Sequence, residues 1–500
     1  MNTPFNRFVV LFAACTFVVP ASTEAQALQS PIERSGFQRA TPHDSLVSYL
    51  HHLSAAFPRF TVETIGTTVQ GRSIPMVHIA PAGSGPKINV LLFCQQHGNE
   101  PSGKEAALML LGKLASGGSD AAFSNLDIFL IPSVNPDGNE AGKRANANGA
   151  DLNRDHLLLS QPEVRAVHNA FARVNPEVTL DVHEYSAYRR EFLSAGYVRI
   201  ADEQFGAPTN LNVSPKIVEY ALKQLFPFLE NELAKKGVLF SNYYKMDEPS
   251  DTVRASTTSI DDGRQSFAIL NTFSFILEGR NGRAMNDELE RRSKRQLAAI
   301  EAFLSFVNGR SEELRKMVRA EQMRSRTSID SVVVRMDYQC DGSTINLPMR
   351  VLKSNADTMV AMLYSPVVKP LASVRTPAAY LIPKSRIDVI SWLDRHGIVY
   401  TTVTQPMKMK GEIYAVRQLD QVWMENKTNT RVTTHPRFTD VTLGIGDAIV
   451  SMDQRAGRML AIALEPSSMW GLVQYDEFPK LCEIGKDYPI IRILDARGKQ

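Results

Sequence analysis

Cysteine is scarce in this chain. Four residues in 500, at Cys15, Cys94, Cys340 and Cys482, exclude a fold knitted by disulfides, and their spacing excludes a thiolate metal site. Tryptophan is rarer still, with three copies. Neither sign of charge prevails. The net charge of +3 gives no field on which to rest nucleic-acid binding. The basic run Glu290–Arg295 begins on an acid and reads as a solvated helix face. No segment after residue 27 is long and apolar enough to span a membrane. Internal repeats and low-complexity tracts are lacking too.

What is present suits a soluble protein: 43% hydrophobic and 22% charged residues. Five hundred residues are too many for one ordinary core, so two or more domains are expected. Residues 1–27 read as a signal peptide. Met1–Arg7 carries one positive charge, Phe8–Val19 is apolar, and Ala25-Gln26-Ala27 is a cleavage site. The mature chain then starts at Leu28, and the destination is periplasmic or secreted. Cys15 lies inside the apolar segment and makes a poor lipoprotein signal.

Helix and strand patterns alternate over residues 40–310. Helical spacing covers Asp44–Phe57, Pro101–Ala115, Gln161–Val174, Pro215–Lys236 and Asn286–Val307. Strand-like runs cover Phe60–Ile65, Ile74–Ile79, Ile88–Cys94, Asp127–Ser133 and Val178–Val182, and Phe267–Leu277 is mainly apolar. Such alternation predicts an α/β unit with a mainly parallel sheet covered on both faces. Asn135-Pro-Asp-Gly138 reads as a turn and Lys143–Asp155 as a polar loop. A helical connector fills 311–330. Over 331–500, short runs at Val332–Tyr338, Leu347–Leu352, Thr358–Tyr364, Ala378–Pro383 and Gly411–Val416, with one helix at Arg386–His396, predict a smaller β-rich domain.

The chemistry starts at Gln95–Gly103, QQHGNEPSG. His97 and Glu100 follow a buried strand and precede a helix, where ligand sites gather in open α/β sheets. An imidazole and a carboxylate three residues apart suit one zinc ion. Alone the pair is weak. His183, at the end of the run Val178–Val182, completes a His₂Glu set, and a catalytic zinc takes three protein ligands with a fourth position kept for water. Glu278, after Phe273-Ser-Phe-Ile-Leu277, suits the proton acceptor and donor that such a water needs. In Gly149-Ala-Asp-Leu-Asn-Arg154, Arg154 and Asn153 suit a substrate carboxylate, and Asp151 suits the outer nitrogen of a metal-bound histidine. Arg144 suits a developing oxyanion.

His97-x-x-Glu100, the NPDG turn, Asn153-Arg154, His183 and Leu277-Glu278 occur in the order found in zinc carboxypeptidases of the M14 family, the funnelins, which residues 40–310 resemble. The resemblance implies an α/β/α fold around a mixed eight-stranded sheet. It implies His97, Glu100 and His183 as ligands of one Zn²⁺, Arg144 as the electrophilic arginine, Asn153 and Arg154 as anchors of the C-terminal carboxylate, and Glu278 as general base and acid. The partner is then a peptide with a free C-terminal carboxylate. Ala379–Pro383 and Leu464-Glu-Pro466 look like the larger secreted bacterial members with an added β-rich domain.

Departures are visible. The tyrosine that covers substrate in the family is not found between Lys245 and Leu277, and Tyr243 and Tyr244 have the wrong spacing. His156 replaces the usual aromatic after Arg154 and faces either the cleft or a bland loop. Asp261-Asp-Gly-Arg264 falls where relatives place specificity residues, and its mixed charge defeats a simple preference. The other histidines have no partner at ligand spacing. Two rival functions use the same residues: an amidase for peptidoglycan peptides or N-acyl amino acids, and a metal-containing binding protein without catalysis.

Overall fold

The computed structural model describes residues 28–80, 85–117, 123–327, 331–424 and 427–494. The expected signal peptide, 1–27, lies outside the described residues.

Strand β3 (Ile88–Cys94) shows how the layers arise. Its side chains alternate between two cores, as the period of a strand demands. Val90, Leu92 and Cys94 enter one core, built with helices α1 (His43–Ala56), α2 (Ser102–Ala115), α4 (Phe226–Lys235), α5 (Leu289–Gly309) and α6 (Ser311–Thr327). Leu91 and Phe93 enter the other, built with α3 (Pro162–Val174) and the short helix Gly263–Ala268. A strand buried on both faces reads as a continuous apolar run, which is what Ile88–Cys94 is.

The other sheet members are β1 (Phe60–Thr67), β2 (Ser73–Ile79), β4 (Leu126–Ile131), β5 (Val178–Tyr185), β6 (Glu203–Gly206), β7 (Phe240–Asn242) and β8 (Phe273–Arg280). Their order is β1-β2-β4-β3-β5-β8-β6-β7, a mixed eight-stranded sheet. β4, β3, β5 and β8 form its parallel centre. The chain leaves β3 toward β4 on one side and β5 toward β8 on the other. The crevice between β3 and β5 at their carboxyl ends is thus the switch point where open sheets hold ligands.

Residues 331–494 add β9 (Ser331–Gln339), the hairpin β10 (Thr344–Val351) and β11 (Ala356–Ser365), and a six-stranded sheet. They pack closely on the first part. Leu157, Val213, Ile260 and Ile269 share one core with Val332, Trp392 and Trp470, and Trp392 Nε1 donates to Leu157 O at 2.7 Å. β10 pairs antiparallel with Tyr197–Arg199, and β11 pairs parallel with Val253–Arg254.

Several elements differ from the sequence reading. Asn135-Pro-Asp-Gly opens a helix, Pro136–Ala141, because the Asn135 side chain accepts from Gly138 N at 2.8 Å as an N-cap and Pro136 suits the first helical position. The long helix at Pro215–Lys236 is interrupted by a π-type turn over Ala221–Leu225, just before Pro227, whose missing N–H breaks the regular bond pattern. Phe267–Leu277 divides into the end of the helix Gly263–Ala268 and most of β8. The short run at Gly411–Val416 is part of an 18-residue strand, Met407–Met424, paired with Lys427–Leu443.

Candidate metal centre and cleft

The backbone after β3 is forced into place. Gln95 adopts φ +57°, a left-handed conformation unfavourable for a side chain. Its amide holds it there: Nε2 donates to Gly98 O at 3.0 Å and Asn139 Oδ1 at 2.7 Å, and Oε1 accepts from Ser133 Oγ at 2.7 Å. Gly98 then passes against the helix Pro136–Ala141. A Cβ there would lie 2.0 Å from the Gly138 carbonyl carbon. Only glycine fits, and Gly98→Ala is expected to cost about 3 kcal/mol by overpacking against backbone. Thermal unfolding measures it, and an unchanged Tm would show that the turn relaxes freely.

This turn brings His97 and Glu100 to His183 on β5. His97 Nδ1 lies 2.9 Å from Glu100 Oε2, His183 Nδ1 lies 3.1 Å from the same oxygen, and the two Nδ1 atoms are 3.0 Å apart. All three residues are buried. Zinc about 2.0–2.1 Å from each of three tetrahedral ligands would set them about 3.3 Å apart. The triangle therefore fits a zinc ion, and among the described residues this is the one cluster of at least three such groups that could hold a metal.

The outer nitrogens are fixed by carboxylates. His97 Nε2 lies 3.1 Å from Asp151 Oδ1, and His183 Nε2 lies 2.8 Å from Asp181 Oδ1. An ionised carboxylate can only accept, so each Nε2 carries a proton, which leaves each Nδ1 as the atom that would face a metal. Asp181 is a site residue that the sequence reading missed. Asp181-Val-His183 on a strand sets both side chains on one face, and that i, i+2 spacing was the available signal. Burial would raise the Glu100 carboxyl, but the charge and hydrogen bonds of His97 and His183 outweigh it and hold it well below the usual range. Burial would lower His183, but Asp181 and Glu100 outweigh it and hold the imidazole well above its ordinary value. The local potential thus favours positive charge.

Glu278 sits on β8 directly opposite His183 in the parallel ladder. It is 9% exposed. Burial pushes its carboxyl up to about 7; His183 opposes the rise and Glu100 adds to it. A carboxyl poised near neutrality beside a metal-ligand cluster can accept and return a proton.

The cleft, about 490 Å³, is lined by His97, Glu100, Glu278, Arg144, Asn153 and Arg154 among others. Arg144 hydrogen-bonds Asp151 Oδ2 through Nε (3.1 Å) and Nη2 (3.0 Å), and its Nη1 lies 3.2 Å from Glu100 Oε1. Burial opposes the Arg154 charge, but the carboxylates of Asp261, Asp151 and Asp262 outweigh it, and its Nη1 donates to Asn153 O at 2.5 Å. Asn153 Oδ1 accepts from Gly263 N at 2.8 Å and faces Gln96 Nε2 at 3.3 Å. Its Nδ2 lies 3.2 Å from His183 Nε2, whose proton is committed to Asp181. His156 turns away from the cleft into the core, where Nε2 meets Gln96 Oε1 at 2.8 Å and Nδ1 meets His168 Nε2 at 3.0 Å. Tyr243, left without a role by its spacing, lines the cleft, and so does Arg264 from Asp261–Arg264.

The model of the Peptidase_M14 family, zinc carboxypeptidase, matches residues 46–192. The chain carries a zinc carboxypeptidase domain of the M14 family. The family uses one zinc ion, and the His-Glu-His triangle of this domain could bind it. Carboxypeptidase 2 of Trichophyton rubrum is 25% identical over 439 residues, covering 85% of this chain and 81% of its own. Carboxypeptidase D of Drosophila melanogaster is 31% identical over 167 residues, 27% of this chain and 12% of that one. Among solved structures, a metallo-carboxypeptidase from Burkholderia cenocepacia aligns with a TM-score of 0.41 at 20% identity, covering 53% of this chain and 68% of that one. As a zinc carboxypeptidase the chain is a metallopeptidase, and no helix among the described residues is long and apolar enough to cross a membrane.

Proposed function

We propose that this zinc carboxypeptidase removes the C-terminal residue of peptides, with His97, Glu100 and His183 as the metal ligands and Glu278 as the proton carrier. The observation that carries the reading is one cleft lined by His97 and Glu100 of the three-ligand triangle, by a carboxyl raised to about 7 in register with the third ligand, and by the Arg154 guanidinium. Zinc on those ligands would supply Lewis acidity, lowering the pKa of water to about 7 and polarising a carbonyl. Arg154 would take the free C-terminal carboxylate as a charge-assisted pair, with the Asn153 Nδ2 hydrogens beside it. Glu278 would accept the proton of the attacking water and return it to the departing amine. Asp151 and Asp181 would keep both imidazoles in the required tautomer. Arg144 would turn from Glu100 toward the oxyanion, a movement its half-exposed side chain permits.

Residues 40–310 would form the catalytic unit, 311–330 a helical connector and 331–500 a β-rich domain like that of larger secreted bacterial members. A periplasmic or secreted location follows from the expected signal peptide.

The test is mass spectrometry of a peptide library, each peptide with a free and with an amidated C-terminus. Chelator-sensitive loss of single residues from the free acids alone is expected. Cleavage of muropeptides or N-acyl amino acids with none of ordinary peptides would favour the amidase, and bound zinc without any turnover would favour a binding protein. Arg154→Gln should raise KM for free acids about 10–100-fold, the worth of a hydrogen bond to a charged group. An unchanged KM would remove Arg154 from carboxylate binding.

A further inference from the structure

Five arginines line the cleft: Arg144, Arg154, Arg189, Arg199 and Arg264. Three have carboxylate partners. Arg144 pairs with Asp151 and Glu100, Arg189 with Asp247 at 2.9 Å, and Arg264 with Asp262 at 3.2 Å. Arg154 lies in the field of Asp261, Asp151 and Asp262, whereas among the described residues no carboxylate stands within ion-pair distance of Arg199. Arg154 is accounted for by the C-terminal carboxylate. Arg199 is not.

Arg199 is only 7% exposed. Its nearest hydrogen-bond acceptors are neutral and distant: Gln204 Oε1 at 3.4 Å and Tyr244 O at 3.5 Å, both from Nη2. The guanidinium lies over the Tyr185 ring, 4.4 Å from its centre. Burial disfavours the Arg199 charge; the Glu278 carboxylate acts on it only from beyond ion-pair distance, and stacking on an aromatic face offsets part of the cost. Stacking also leaves the edge of the guanidinium free for two parallel bonds to a carboxylate.

Its position identifies which part of a peptide it would meet. Gln204, which Arg199 contacts, is opposite Glu278 in the β6–β8 ladder. Tyr185 lies two residues past the metal-ligand position His183 on β5. Arg199 therefore flanks the outer side of the reacting centre. Arg264, in contrast, reaches toward Gly206, which is opposite Ile276, two residues further into the sheet. A peptide with its terminal carboxylate on Arg154 would lead its amino-side residues outward past Glu278 and Arg199.

We infer that Arg199 is a specificity residue that binds the side-chain carboxylate of an acidic residue immediately preceding the scissile bond. This rests on the carboxypeptidase reading above. The β-rich part takes a share in it, because β10 pairs with the strand bearing Arg199, Met349 opposite Arg199 itself.

The experiment uses N-blocked peptides that differ only in Glu or Gln at the penultimate position. Equilibrium binding and kcat/KM are measured for the zinc-loaded full chain, for Arg199→Gln and for Arg199→Lys. The wild type should favour the Glu peptide about tenfold or more, as a charge-assisted contact in a dry site does. Arg199→Gln should bring the ratio to about one, and Arg199→Lys should retain part of it because the charge persists. Equal binding of the two peptides by the wild type, or an undiminished ratio in Arg199→Gln, overturns the proposal. Turnover without preference overturns this inference alone; failure to bind either peptide overturns it together with the carboxypeptidase reading.

Discussion

Glu278→Gln is expected to keep its zinc and lose turnover by about a thousandfold, within the range that general acid–base catalysis contributes. Glutamine preserves the shape of the side chain in the β8 ladder, but its amide cannot take a proton. The pH profile supplies the second arm. The base acts as the anion, which forms as pH rises through its pKa, so kcat/KM should fall as pH falls. Burial puts the carboxyl at about 7, and a bound dication would favour the anion and lower that value. The acid limb should then lie between the ordinary value of about 4.3 and about 7. Residual activity in Glu278→Gln should lack that limb. Wild-type turnover in the variant would eliminate Glu278 as the proton carrier.

The second large effect concerns the metal. His183→Ala should abolish stoichiometric zinc and, with it, activity. Asp181→Asn should be milder, weakening zinc about 10–100-fold, the usual cost of losing an outer partner of a ligand. The two variants separate ligand from support. Zinc content after dialysis against a graded chelator series reads both. His183→Ala also leaves Asp181 buried without its imidazole, although Gln96 Nε2 still donates to it at 2.9 Å. Removing one member of a buried ion pair costs about 3–5 kcal/mol, so a clear fall in Tm should accompany the loss of zinc. Full zinc retention by His183→Ala would show that the metal is held elsewhere.

The two predictions draw on residues of unequal legibility. His183 and Glu278 are conspicuous as polar residues that follow apolar runs, and His97 and Glu100 as a pair in the turn after one. Asp181 escaped because it is embedded in such a strand, and its partner is apparent only when the i, i+2 face is considered. Arg199 carries no motif: it stands on a three-residue strand, and its lack of a carboxylate within ion-pair distance is a fact of three dimensions. The α/β alternation forecast the parallel centre of the sheet, since strands buried on both faces advertise themselves. Lys427–Leu443 did not, because its threonines, arginines and lysine hide the period of a long hairpin strand. The NPDG segment carried two meanings locally, turn or helix start, and the asparagine cap decided between them.

The pairing of β10 and β11 with Tyr197–Arg199 and Val253–Arg254 has a consequence for how such a protein diverges. The wall of the cleft is braced by chain that lies more than one hundred and fifty residues from the histidine motif it serves, Met349 standing opposite Arg199. On the Arg199 proposal, variation in that distant hairpin would retune which peptides are accepted while the hydrolytic machinery stays untouched. Selectivity and chemistry would then be carried by separate stretches of the chain rather than by one motif.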